Sequence, residues 1–259
     1  MRRSPTWARG PCAALDRTSS SCETASVEAG ETSRLEALRA QLSKDSGPEG
    51  DPLASFLLPH VLGEIRRETG LLEELRERCT HEGYLAALDG QAGRDLATTE
   101  ERVEVLGWVL ACLATAEGAD LVLERREGRA LHHVVEVLAG ALAAEGIELT
   151  PVPPELRLDP SAGWSVAWAI SSLLLAASLE EPAPTRIEWF FQLEVHGDGP
   201  PGEDGEAERA QGVRLPASTW SSLLWERHLV GQVPEACELS CLDFALELRL
   251  PPGTIQAST

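Results

Sequence analysis

The segment from Leu131 to His196 constrains the fold most, because helical and extended patterns alternate there at lengths that suit a layered α/β arrangement. It opens with an amphipathic helical pattern, LHHVVEVLAGALAAEG, and continues with two short strand patterns, IELT and ELRLD. The next segment, SAGWSVAWAISSLLLAASLE, reads as a buried helix, and TRIEWFFQLEVHG reads as a strand. A strand LVLER and a turn at Glu127-Gly128 precede this block. After it come a Gly/Pro/acid loop (GDGPPGEDGE), a strand near GVRLP, and a helix STWSSLLWERHLV capped by Ser218. ELSCLDFALELRLPPG closes the chain as a bent strand or a hairpin, with Phe244, Leu246, Leu248 and Leu250 alternating. The expected sum is a two-layer α/β domain over residues 118–252, with one mixed sheet covered by three helices and a short tail at 253–259.

The N-terminal part has a different pattern. Residues 1 to about 30 lack a hydrophobic period and are expected to be disordered. Glu31 to Lys44 predicts a short helix with Leu35, Leu38 and Leu42 on one face, broken by DSGPEGDP, so residues 1–50 form a tail with one helix. Asp51-Pro52 is a helix opening: a cap followed by a proline in the first turn. From there to Cys79 the stripe Leu58, Leu62, Ile65, Leu72 and Leu75 recurs at helical spacing, with Thr69 in its gap. Pro59 is expected to kink this helix or to mark its start. A loop from Asp89 to Arg94 leads to a second helix, Leu96 to Thr115, with Val103, Leu106, Leu110 and Leu113 as its stripe. Two antiparallel amphipathic helices cannot bury both stripes alone, so the 51–117 hairpin is expected to pair with a second copy as a four-helix bundle, giving a homodimer. The fold class predicted is therefore α+β: a helical hairpin followed by a two-layer α/β sandwich.

Charge narrows the partners. The chain of 259 residues has 22 basic and 42 acidic side chains, a net charge of −20. Residues 1–50 are neutral, with seven of each sign, which leaves 15 basic against 35 acidic in the remainder. A body so acidic is repelled by phosphate backbones, so nucleic acid is not an expected partner. No apolar run reaches the ~18 residues that span a bilayer, and MRRS is not followed by a continuous apolar segment, so the expected location is cytoplasmic, with no membrane partner. The six cysteines, Cys12, Cys22, Cys79, Cys112, Cys237 and Cys241, contain no C-x-x-C pair and are expected to be reduced, with no metal site.

The order of elements, together with the phrases EGIELT, LRLDPS, LLLAASLE, TRIEW and ALELRLP, resembles the ATP-binding domain of bacterial sensor histidine kinases. With the hairpin included, residues 51–252 are similar to the dimerisation and catalytic modules of that family, the latter of GHKL type. In the family an Asn-Leu-Leu-x-Asn-Ala box on the second helix carries the Asn that ligates the nucleotide's Mg²⁺. Here the matching residues are Ser172, Leu173, Leu174, Leu175, Ala176 and Ala177, so Ser172 and Ala176 are degenerate cofactor positions. HGDGPPG, with Asp198, has the look of the family's adenine loop but comes directly after the first long strand and reads as a hairpin turn. VRLPAST stands before the helix at Ser218 where the family has a glycine-rich phosphate loop. No cofactor is expected, and neither is ATP-dependent kinase activity.

The resemblance also implies a phosphoacceptor histidine on the first hairpin helix. Only His60 lies there, about 200° around the helix from Leu58 and so pointing away from the expected stripe. The family's acidic residue directly after that histidine is replaced by Val61, and the nearest carboxylate one turn on is Glu64, a possible orienting group. The function implied is a histidine phosphotransferase that passes a phosphoryl group between aspartates of response-regulator receiver domains through His60, without ATP. The alternative is a pseudo-histidine-kinase scaffold that binds partner proteins and does no phosphate chemistry. The remaining histidines carry less. His132 and His133 adjoin on a helix and face different directions, and His81, His196 and His228 lie at a loop, a strand end and a helix. Trp164, Trp168, Trp189, Trp220 and Trp225 read as packing residues.

Overall fold

Asp51 both starts the first long helix and anchors it. Its Oδ1 accepts hydrogen bonds from the backbone N–H groups of Leu53 (2.8 Å) and Ala54 (3.3 Å), while Pro52 takes the first helical position, where a missing N–H costs nothing. Its Oδ2 accepts from the indole Nε1–H of Trp168 at 2.6 Å. The computed structural model describes residues 33–42, 50–81, 90–114, 128–159, 163–180, 182, 184–195, 209–216, 237–242, 245–251 and 253–257. The expected strand LVLER, the GDGPPGEDGE loop, the helix at Ser218 and the segment before residue 31 lie outside them.

Five helices are described: α1 (Arg34–Leu42), α2 (Pro52–His81), α3 (Gln91–Ala114), α4 (Ala130–Ala143) and α5 (Gly163–Ser178). Helix α2 starts at Pro52 and runs on through Pro59, and α3 begins at Gln91, five residues before the start expected at Leu96. Ion pairs from Arg76 to Glu100 and from Arg102 to Glu64 and Glu68 hold α2 and α3 together.

The buried faces of this hairpin differ from the expected stripes. Leu58 and Leu62 are 40% and 36% exposed, and the buried line of α2 is Leu53, Phe56, Leu57 and Val61, continuing to Leu72, Leu75 and Cys79. The first three turns of α2 are apolar on several sides, so Leu57/Val61 and Leu58/Leu62 satisfy the same spacing of four and periodicity alone cannot choose between them. In α3 the buried hydrophobic residues are Leu106, Trp108, Val109 and Cys112, with Leu110 and Leu113 only partly covered. These side chains join one continuous core with Leu131, Val134, Leu138 and Leu142 of α4 and with most of α5. Of the residues expected to require a second chain, Leu72, Leu75 and Leu106 are buried within this one, whereas Leu58 and Leu62 remain exposed.

Eight strands are described, and the chain is a mixed helix-and-strand protein. Strands β4 (Phe190–Val195), β5 (Arg209–Pro216), β7 (Ala245–Leu250) and β6 (Glu238–Leu242) form a wholly antiparallel sheet in the order β4-β5-β7-β6. The closing segment is therefore a hairpin, β6–β7, with Leu239 opposite Leu248. Two further ladders stand apart from it: β1 (Glu148–Leu149) parallel to β3 (Arg186–Ile187), and β2 (Leu156–Leu158) antiparallel to β8 (Ile255–Ala257). The single mixed sheet expected from sequence is replaced, among the described residues, by these three ladders. The break falls at Glu188-Trp189, where the Trp189 indole donates to the Thr150 carbonyl at 2.6 Å and the strand pairing is interrupted. β8 itself lies in the segment expected to be a tail.

Two residues join these pieces. Gly128 has φ +73°, and a Cβ there would meet the Leu158 carbonyl oxygen at 2.3 Å, so only glycine lets the entry to α4 lie against β2. Gln211, buried in β5, donates from Nε2 to the Ile255 carbonyl (3.0 Å) and accepts the Ile255 N–H on Oε1 (2.8 Å). One amide side chain thereby does the work of a neighbouring strand and ties the four-stranded sheet to β8. Gln211→Leu orphans both backbone groups, each at a cost of about 1–3 kcal/mol. Urea unfolding is expected to show a clear loss of stability, with faster amide exchange first at Ile255; an unchanged midpoint would mean that the bridge is not needed.

Candidate functional site

The spacing of four that places Phe56, His60, Glu64 and Glu68 along one side of α2 creates the most chemically loaded surface of the hairpin. Phe56 is buried at the start of this row and Glu68, only 5% exposed, at its end. His60 sits between them at the edge of the packed face and is half-buried, not turned fully to solvent as expected from the Leu58 stripe. The cover comes from α4, where Gly140 is the contact: a methyl group at that position would lie 3.0 Å from His60 Nε2 and 3.4 Å from Cε1. A side chain at Gly140 would crowd the imidazole.

Charges surround the ring. Glu64 pairs with Arg67 one turn on and with Arg102 Nη2 of α3 at 3.4 Å. Glu68 receives Arg67 Nη2 at 2.9 Å and Arg102 Nε at 3.3 Å, so two carboxylates alternate with two guanidiniums across the α2–α3 seam. Burial is the main influence on His60 and lowers its pKa below the ordinary 6.5. Glu64 acts in the opposite direction, and Arg34, Arg67 and Arg102 add to the lowering. At neutral pH the imidazole is therefore uncharged, with one carboxylate a turn away. Glu64 is where the sequence placed it relative to His60; Glu68, Arg102 and Gly140 were not singled out. The signal for Glu68 was the break in the apolar stripe between Ile65 and Leu72, because a charged residue that fills such a gap on a buried face needs partners from the facing helix.

The degenerate nucleotide positions lie on α5, whose residues from Ser171 to Ser178 are all buried. Ser172 and Ala176 sit in the core, and the hydroxyls of Ser171 and Ser172 have no hydrogen-bond partner among the described residues. Ser178 instead returns its hydroxyl to the Leu175 carbonyl at 2.6 Å. Asp198 and the VRLPAST-to-helix junction fall at least partly outside the described residues. His132 and His133 diverge as expected. His132 Nε2–H donates to the Pro153 carbonyl at 3.0 Å, leaving its buried Nδ1 without a partner among the described residues, whereas the His133 ring packs edge-on against Trp108 at 5.7 Å. Trp164 stacks between Trp108 and Trp168, and Trp189 packs on Phe191, so these tryptophans pack with their neighbours. Among the described residues no group of three or more His, Cys, Asp or Glu is placed to hold a metal ion, and no helix is long and apolar enough to cross a membrane. Cys79, Cys112 and Cys237 are free thiols, and burial pushes Cys112 up to about 12.

No protein-family model, no curated protein and no solved structure matches this chain.

The two half-buried histidines make stability depend on pH with a definite sign. Burial is the largest cause of the lowering at both His60 and His132, so the unfolded chain binds their protons more readily than the folded one. Their contribution is complete above the unfolded value of 6.5 and is lost as pH falls through the folded values. Burial alone would raise the Glu145 carboxyl, but hydrogen bonds from Ser33 and Arg34 together outweigh it and hold the group below 4.5, which extends the loss to lower pH. Chemical denaturation at stepped pH is expected to give a plateau above 6.5 and a decline below it, with a shallower decline in His60→Gln and in His132→Gln. Stability that rises between pH 6.5 and 5 would reverse the assignment.

Proposed function

We propose that this protein is a catalytically inactive scaffold of pseudo-histidine-kinase type, in which the helical hairpin and a GHKL-like α/β layer are joined as one body that binds partner proteins in the cytoplasm. The observation that carries this reading is the burial of Ser172 and Ala176 inside α5. A Mg·nucleotide ligand has to face an opening that admits a triphosphate, and these positions face packed side chains. The closeness of His60 to Gly140 supports the same reading, since α4 lies beside the ring on that side and a Cβ there would come within 3.0 Å of Nε2. Leu58, Leu62 and Leu71 leave apolar surface on α2 for a partner, a second copy of the chain included.

Phosphotransfer through His60 is the second reading, favoured by the uncharged imidazole and by Glu64 one turn away. A neutral ring nitrogen is what attack on an aspartyl phosphate requires. In that case a receiver domain's phosphoaspartate would be the donor and Glu64 would orient the ring.

Incubation with a labelled, phosphorylated receiver domain separates the two. For a scaffold, wild type and His60→Ala are both expected to stay unlabelled, and Mg·ATP is expected to show no saturable binding below millimolar concentration. Label that appears on wild type and disappears in His60→Ala would replace the scaffold reading by the phosphotransferase one.

A further inference from the structure

We propose that α1 is a releasable strap that controls access to His60. Its nine residues are too few for a helix to persist alone in water, where about 12–15 are already marginal, so α1 is helical because it is docked. Docking buries Leu35, Leu38 and Leu42 in the common core. Side-chain ties to the rest of the chain lie near both of its ends. At the N-terminal end Ser33 Oγ–H donates to Glu145 Oε2 at 2.5 Å, and Arg34 donates to Glu145 Oε1 from Nε (3.2 Å) and from its backbone N–H (3.3 Å). Toward the other end, Arg39 donates to the Leu179 and Glu180 carbonyls just beyond α5, at 3.0 and 3.3 Å, where a helix terminus leaves carbonyls without partners.

Both ends of the first tie bracket His60. The Arg34 guanidinium stands 5.6 Å over the Phe56 ring, and Phe56 precedes His60 by one turn on α2. Glu145 follows Gly140, the residue against the imidazole, by five positions just past α4. α1 therefore closes the corner between α2 and α4 in which His60 lies, and Arg34 is one of the charges that the ring senses. Undocking α1 removes Arg34 from Phe56 and opens that corner, while α2, α4 and α5 still share a core that includes Val61, Leu138 and Ile170. The strap is a property of the chain in either functional reading.

The test uses the full chain as wild type, Glu145→Ala and Leu38→Ala. Hydrogen exchange by mass spectrometry follows residues 34–42 and α5, and carbethoxylation by diethyl pyrocarbonate, read by mass spectrometry, follows His60 and His132. In wild type, the 34–42 amides are expected to exchange at least about tenfold faster than those of α5, as a segment that opens without global unfolding does. Either substitution is expected to raise both 34–42 exchange and the His60 rate several-fold, with α5 protection and the His132 rate unchanged. Equal exchange of α1 and α5 in wild type overturns the proposal, because α1 then leaves only when the whole protein unfolds. It is equally overturned if 34–42 exchange rises in a variant while the His60 rate does not. A variant that loses α5 protection also counts against it, since α1 would then be part of the indivisible core.

Discussion

Helix α5 has to be hidden from water on nearly every side. Fourteen of its 16 residues are buried, and a helix so apolar is stable only with cover around its whole circumference. Helix α4 packs along it, β3 supplies further cover, and the start of α2 is tied to it through Asp51 and Trp168. Burial of each Leu or Ile contributes about 1.5–3 kcal/mol, so Ile170, Leu173, Leu174 and Leu175 make this cover a large share of what holds the fold together. The same demand places Ser172 and Ala176 among packed side chains.

Docking of the hairpin on α4 and α5 fixes what can happen at His60. The imidazole is set at the margin of the packed face, where it is desolvated enough to stay neutral and where Gly140 limits its movement. The alternating carboxylates and guanidiniums beside it do a different task. Arg67 and Arg102 are more than half exposed, so each pair contributes only about 0–1 kcal/mol. Their value lies in satisfying Glu68, which would be an unpaired buried carboxylate without them, and thereby in holding α2 and α3 in one register.

Local signals in the sequence carried the elements well. The Asp51-Pro52 start, the Leu35/Leu38/Leu42 face of α1, the helix limits of α4 and α5, and the two short strands at 148–149 and 156–158 were all legible from capping residues and periodicity. Faces were less so. Between Leu53 and Leu62 apolar residues lie on several sides of α2, and the choice of Leu57/Val61 over Leu58/Leu62 is made by α4 and α5, far away in sequence. The orientation of His60 inherits that error, since its angle was measured from the wrong stripe. β8 escaped notice because three residues give no period, and its place depends on the Gln211 amide 44 residues upstream. Of the candidate site, His60 and Glu64 could be named from position alone; Gly140 and Arg34 could not, because nothing local says that they meet the hairpin.

The approach of His60 to Gly140 ties these points together, and nuclear Overhauser contacts in isotope-labelled protein measure it directly. Docking of the hairpin within its own chain predicts cross-peaks between the His60 ring protons and the Gly140 α-protons, absent from the interchain-filtered spectrum of a mixture of labelled and unlabelled chains. Lack of the contact, or its appearance only between chains, would contradict intrachain docking and return the buried face of α2 to a dimer interface.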